Sequence, residues 1–171
     1  MDMKQITIEK ITLNIGAGKD QKKLEKGVLL LKHMTGIDPV KTVTQKRIPT
    51  WGLRPGLPIG CKITLRDKEK IKDLLVKFLK AKGNTLIGTQ FDNSGNIAFG
   101  IHEYIDIPGI QYNPDVGIMG FQICITLKRP GFRIRVRKIQ KRRIKKGHRI
   151  SQKDAMEFMK KEFAIAVKLE E

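Results

Sequence analysis

The sequence predicts an α+β fold: a mainly antiparallel sheet with helices packed on one face and the opposite face left open and polar. Three observations predict it. Short stretches alternate apolar and polar residues at period two, longer ones repeat apolar residues at helical spacing, and two strand-like stretches carry the same polar chemistry outward. The 171 residues, 40% of them hydrophobic, suffice for a single domain over 1–171. Within it we expect a basic segment at 128–150 and a C-terminal helix at about 152–164.

Taken in order, "ITLNI" (11–15) is a strand that sets Ile11, Leu13 and Ile15 on one side and Lys10, Thr12 and Asn14 on the other. "GAGKD" turns the chain into a helix over 21–35, where Leu24, Val28, Leu31 and Met34 recur at helical spacing. Gly36 suits its C-terminal cap and Pro39 blocks continuation. Strand "VKTVT" follows, then a long loop, then strand "IGCKITLR", which splits Cys61, Ile63 and Leu65 from Lys62, Thr64 and Arg66. Asp67 is placed to cap a helix over 67–81 with Ile71, Leu74, Leu75 and Phe78 on one face. Strands are expected at 96–101 and 120–128, joined by the irregular "DIPGIQYNPDVG". "SQKD" reads as a capping box for a helix through Phe163, and "IAVKL" as a closing strand.

Charge narrows the function. Lys and Arg outnumber Asp and Glu 35 to 17, a net +18 that attracts polyanions, nucleic acid first among them. Twelve of the basic residues and no acid lie in 128–149, "KRPGFRIRVRKIQKRRIKKGHR", so the remainder carries only +6. So dense a run repels itself unless a polyanion is present. The alternation in "RIRVRKI" suits an extended ribbon with a basic edge. No apolar run approaches the ~20 residues that span a bilayer, and no signal-peptide core is seen, so a soluble, intracellular chain is expected. Cys61 and Cys124 have no CxxC or Cys/His spacing, which suggests neither zinc nor a disulfide.

Catalytic patterns fail on their own requirements. A Walker loop aligned on Gly18-Lys19 would put its first glycine at Leu13 and its Mg²⁺ hydroxyl at Asp20, and Gly16-Ala17-Gly18 meets Gln21 where a dinucleotide fingerprint needs a third glycine. His33, His102 and His148 form no HExxH pair, and no GxSxG is present. His102 beside Glu103 reads either as an acid/base pair or as a partly buried structural histidine, and strand neighbours point to opposite faces. A nucleotide hydrolase is the enzymatic alternative, and a free-standing DNA-binding or nonspecific nucleic-acid-binding protein the other. Loop 45–60, "QKRIPTWGLRPGLPIG", gathers Lys46, Arg47, Trp51 and Arg54. It either clamps phosphate and stacks on a base, or folds Trp51 and Leu57 back onto the core. The polar sheet face is likewise either solvated or an RNA surface.

The stretches "ITLNIGAGK", "MTGIDPVKT", "LRPGLPIGCKITLR" and "NIAFGIHEYIDIPGIQYNPDVGIMGFQICIT" fall in the order and spacing of the universal "L five" family of large-subunit ribosomal proteins. The chain resembles that family over roughly residues 5–167, and its basic C-terminal segment resembles the archaeal and eukaryotic-type branch. The resemblance implies a structural, non-enzymatic protein of the central protuberance, cytoplasmic and ribosome-bound. It further implies binding to 5S rRNA through the open sheet face. Asn14 and Thr64 match the family's RNA-contacting positions, and Lys10, Thr12, Thr42, Lys62 and Arg66 complete the expected set. Many members carry glutamine after "TG", where Ile37 offers RNA no side-chain hydrogen bond. The loop with Lys46, Arg47, Trp51 and Arg54 matches the one that approaches peptidyl-site tRNA. Arg133, Arg135, Arg137, Lys138, Lys141, Arg142, Arg143, Lys145 and Lys146 are expected to meet large-subunit rRNA. Further partners would be neighbouring ribosomal proteins of the central protuberance and the small-subunit head. No catalytic residue, metal, cofactor or membrane is expected.

Overall fold

The structure is a computed structural model that describes residues 3–168. Strands β1 (Thr7–Gly16), β2 (Val40–Val43), β3 (Pro58–Leu65), β5 (Ile97–Ile101) and β6 (Phe121–Lys128) form a five-stranded sheet in the order β2-β3-β1-β6-β5. Strand β4 (Thr85–Ile87) pairs in parallel with β7 (Ala166–Lys168). The helices are α1 (Gln21–Thr35), α2 (Lys68–Ala81), the single turn α3 (Arg133–Val136) and α4 (Gln152–Phe163). The fold class is the expected α+β arrangement. By internal packing the chain divides into two compact units, Thr12–Leu65 with Gly100–Ile123, and the rest.

In the unit holding Thr12–Leu65, period two does the sorting. Leu13, Ile15, Cys61, Ile63 and Leu65 are buried, whereas Thr12, Asn14, Lys62 and Thr64 between them are not. Helix α1 starts where Asp20 accepts the N–H groups of Lys22 and Lys23, and ends at Gly36 in the left-handed region. It covers the apolar side closely because residue 27 is glycine: a Cβ there would stand 3.2 Å from both Cys61 Sγ and Ile15 Cγ2. Leu24, Leu30 and Leu31 fill the contact, while Val28 and Met34, expected on that face, are half-buried at its margin. Strands β2 and β3 are antiparallel, with Val40 opposite Lys62 and Thr42 opposite Gly60. Thr12 faces Thr64 and Gly16 lies against Gly60, so β1 and β3 also run antiparallel. The irregular segment between β5 and β6 hangs on Tyr104, fully buried, whose hydroxyl accepts the Asn113 N–H at 2.9 Å. His102 and Glu103 are exposed in that segment, so His102 is not the partly buried structural residue anticipated.

The other unit packs Ile71, Leu75, Phe78 and Leu79 of α2, Ala155 and Met159 of α4, and Ile125 and Leu127 of β6 into its core. Asp67 caps α2, and Ser151 with Asp154 forms the capping box of α4, as their spacing predicts. Leu74 is half-buried beside that core. Two features depart from the sequence reading. Strand β4 was not anticipated, because three residues pairing with a partner some eighty positions away leave no local pattern. The stretch "RIRVRKI" begins as one helical turn, Arg133–Val136, and then bends, rather than forming an extended ribbon. Pro130 and Gly131, the latter at φ +88°, bend the chain out of β6 before it.

Two measurements test this packing. A Cβ on Gly60 would lie 2.6 Å from the Ile15 carbonyl oxygen, whereas one on Gly16 meets nothing within 4 Å. Gly60→Ala is expected to cost about 1–3 kcal/mol in urea denaturation, as overpacking does, and Gly16→Ala to leave the midpoint nearly unchanged. Burial pushes the Cys61 thiol from 9.0 up to about 11, so folding favours its neutral form. That contribution is complete below pH 9.0 and is lost as pH rises toward about 11. Cys61→Ser is expected to flatten the alkaline limb of the stability profile.

Candidate nucleic-acid interface

Three basic or polar surfaces can be built from the residues upward. The first is the uncovered side of the sheet, away from α1. Thr12 and Thr64 bring their hydroxyl oxygens within 3.4 Å of each other, and in the same register Asn14 falls opposite Lys62. Thr42 joins them, since its Oγ1 lies 3.0 Å from the point where a Gly60 Cβ would stand. Thr12, Asn14, Thr42, Lys62 and Thr64 therefore share one face of one unit, with no carboxylate among them. Lys10, half-buried, and Arg66, exposed, belong to the other unit. On β6, Gln122 stands exposed between buried Phe121 and Ile123, and Thr126 is half-buried between Ile125 and Leu127. The sequence reading passed over both, although "FQICITLK" carries the same period-two signal.

The second surface is loop 44–57, which is a narrow hairpin. Ile48 and Leu53 exchange both backbone hydrogen bonds at 3.0 Å around one 3-10 turn, Pro49–Trp51, closed by Gly52 at φ +67°. Leu53 is the residue that folds inward, at 8% exposure, and Thr44 anchors the base through its hydroxyl to the Leu57 carbonyl at 2.8 Å. Trp51 is 68% exposed, which rules out the reading in which it caps the core; Leu57 is half-buried. Lys46, Arg47 and Arg54 are exposed around it.

The third is the basic arm. Arg133, Arg135, Lys138, Lys141, Arg142, Arg143, Lys145 and Lys146 are exposed; Arg137 is half-buried, its Nε donating to the Gln140 carbonyl. None of these nine has a carboxylate partner among the described residues. Arg129, one of the same charge run, does the opposite job. Its side chain is 10% exposed, and its Nη2 donates to Asp154 Oδ2 at 2.9 Å while Nη1 donates to the Arg149 carbonyl at 3.1 Å. His148 Nε2 donates to the Pro130 carbonyl at 2.8 Å, and its ring stands nearly perpendicular to that of Phe132. Both ends of the arm are thus fastened, and the cations between them face water.

A one-sided sheet with a carboxylate-free polar face, a wet tryptophan and a fastened basic arm define a protein built to face a polyanion. Residues 2–54 match the family described as Ribosomal protein L5, and residues 58–158 match the family described as the C-terminus of the same ribosomal protein. The chain is 43% identical to the large ribosomal subunit protein uL5 of Sulfurisphaera tokodaii, over 96% of this chain and 93% of that one. It is 41% identical to uL5 of Nanoarchaeum equitans, over 96% and 97%, and 42% identical to uL5 of Nitrosopumilus maritimus, over 96% and 95%. The chain belongs to the ribosomal protein L5 family, a structural and non-enzymatic class.

The anchor of the arm titrates. The Asp154 carboxyl is held below its ordinary value, first by the Ser151 N–H, then by the Ser151 hydroxyl and the Arg129 guanidinium, against the upward push of burial. Its contribution is complete above pH 3.8 and is lost as pH falls through the lower folded-state value. Amide-exchange protection of residues 129–150 is expected to drop in that acid window. Asp154→Asn, which keeps the shape but not the charge, should show the lowered protection already at pH 7.

Proposed function

We propose that this chain is a structural constituent of the large ribosomal subunit, bound to ribosomes in the cytoplasm, that holds 5S rRNA on the open face of its sheet. The observation that carries this reading is the convergence of Thr12, Asn14, Thr42, Lys62 and Thr64 on one carboxylate-free face. Threonine and asparagine can exchange hydrogen bonds with ribose 2′-hydroxyls and phosphates, and lysine neutralises the backbone. Lys10 and Arg66, which belong to the other unit, add basic contacts of their own on this reading. Family membership and relatives named as large-subunit proteins support placement in the ribosome.

On the same reading, the hairpin carrying Lys46, Arg47, Trp51 and Arg54 approaches the peptidyl-site tRNA. An exposed indole beside cations can stack on a base while phosphates are neutralised. The arm, whose nine cations have no carboxylate partner among the described residues, contacts large-subunit rRNA, and the remaining surface meets proteins of the central protuberance and the small-subunit head.

The test is a 5S rRNA titration at several salt concentrations. Asn14→Ala with Thr64→Ala is expected to weaken binding by about 1–3 kcal/mol, the usual cost of lost polar contacts, with the salt slope preserved. Wild-type affinity in the double variant would remove the sheet face from the interface. Duplex DNA competing as well as 5S rRNA would favour a nonspecific nucleic-acid binder instead.

A further inference from the structure

The arm does more than present cations: it folds into a cup. Arg135, Lys141, Arg142, Arg143 and Arg149 line a cavity of about 570 Å³, within the ~300–1,000 Å³ range of small-ligand pockets. Its shape is fixed by bonds along the arm. The Arg142 N–H donates to the Ile134 carbonyl at 3.2 Å and brings the chain back beside α3, and Arg149 Nε donates to the Ile144 carbonyl at 3.1 Å. No acidic residue lines it.

The opposite wall comes from the turn between Phe91 and Ile97. Gly95 sits there at φ +76° so tightly against Ile150 that a Cβ would come within 2.5 Å of Ile150 Cγ2. The Gly95 N–H donates to the Asp92 carbonyl at 2.9 Å, and Asn96 Nδ2 donates to Asp92 Oδ2, which leaves Asn93 and Ser94 on the cavity wall. Phe132 also lines the cavity, its ring braced by His148 at 5.7 Å between centroids.

A cup this size with cations alone would suit any phosphate; an amide, a hydroxyl and a braced aromatic ring add what a nucleobase and ribose need. Backbone phosphates of a continuous helix run past a surface and do not enter a pocket, whereas an unpaired nucleotide can be turned out of its stack. We propose that this cup receives one unpaired RNA nucleotide, a bulge or loop residue. Its phosphate lies among Arg135, Arg142 and Arg149, its base against Phe132, and its polar edge near Asn93 and Ser94. The inference rests on the arm binding RNA and adds the structural element it selects.

The experiment uses the full chain and two RNA hairpins identical except for one bulged adenosine, compared by fluorescence anisotropy at physiological salt. The bulged RNA is expected to bind about 10-fold tighter, equivalent to ~1.4 kcal/mol. Asn93→Ala with Ser94→Ala, both exposed and outside the core, and separately Phe132→Leu, are expected to erase that preference while leaving affinity for the unbulged hairpin unchanged. Equal affinities for the two RNAs, or a preference that survives both variants, would overturn the inference. Arg135→Gln with Arg142→Gln separates this from the underlying reading. No bulge preference in the wild type, together with weaker binding of both RNAs by this variant, defeats the cup alone; unchanged binding of both RNAs by the variant shows that these two arginines do not meet RNA, and overturns the cup with it.

Discussion

Ile11, Leu13 and Ile15 of β1 must all leave water on one side of the strand, and that requirement organises the sheet around them. β1 is the middle strand of five, so its choice of side is imposed on its neighbours through the register of their hydrogen bonds. A one-residue slip would turn every buried isoleucine outward, at a cost of about 1.5–3 kcal/mol for each large side chain exposed. With the apolar side committed to α1 through the close approach at Gly27, Thr12, Asn14, Lys62 and Thr64 are left on the side that α1 does not cover. The polar face is therefore, first of all, a by-product of core formation. The same period that builds the core lays out Thr12, Asn14, Lys62 and Thr64 at fixed spacing.

The basic arm solves a different problem. Twelve cations within 22 residues would extend and wander if left free. One of them, Arg129, is instead withdrawn from the surface and fixed to Asp154, the same carboxylate that closes the capping box of α4. One oxygen thereby serves the helix start and the arm at once. The guanidinium Nε finds no acceptor among the described residues, so the two terminal nitrogens carry the compensation for burying this charge. An arm ordered in advance lowers the conformational entropy that any binding event must overcome.

Local chemistry was legible in the sequence, and distant pairing was not. Asp67, Gly36 and the Ser151–Asp154 box announced their helix ends, because a cap is a contact between residues two to four apart. The polar residues of β1 and β3 were readable for the same reason, since alternation needs only the strand itself. Strand β4 was invisible because its partner lies at the far end of the chain. The alternating "RIRVRKI" misled, because nothing within seven residues reveals that Gly131 turns the chain and the Arg142 N–H closes it back on Ile134. Trp51 defied the tendency of large aromatics to be buried; Leu53, two residues on, takes the inward place in the hairpin. The cup combines both difficulties, since Asn93 and Ser94 reach the arm only through the tight seat of Gly95.

The hairpin has one more consequence, and it is spectroscopic. The chain carries a single tryptophan, and it stands in water at the tip of a turn, 68% exposed, in surroundings close to those of an unfolded chain. Indole emission from this protein therefore says little about whether the core is intact. It is a native optical label for whatever docks on that tip, and the seven phenylalanines and two tyrosines are left to report on folding.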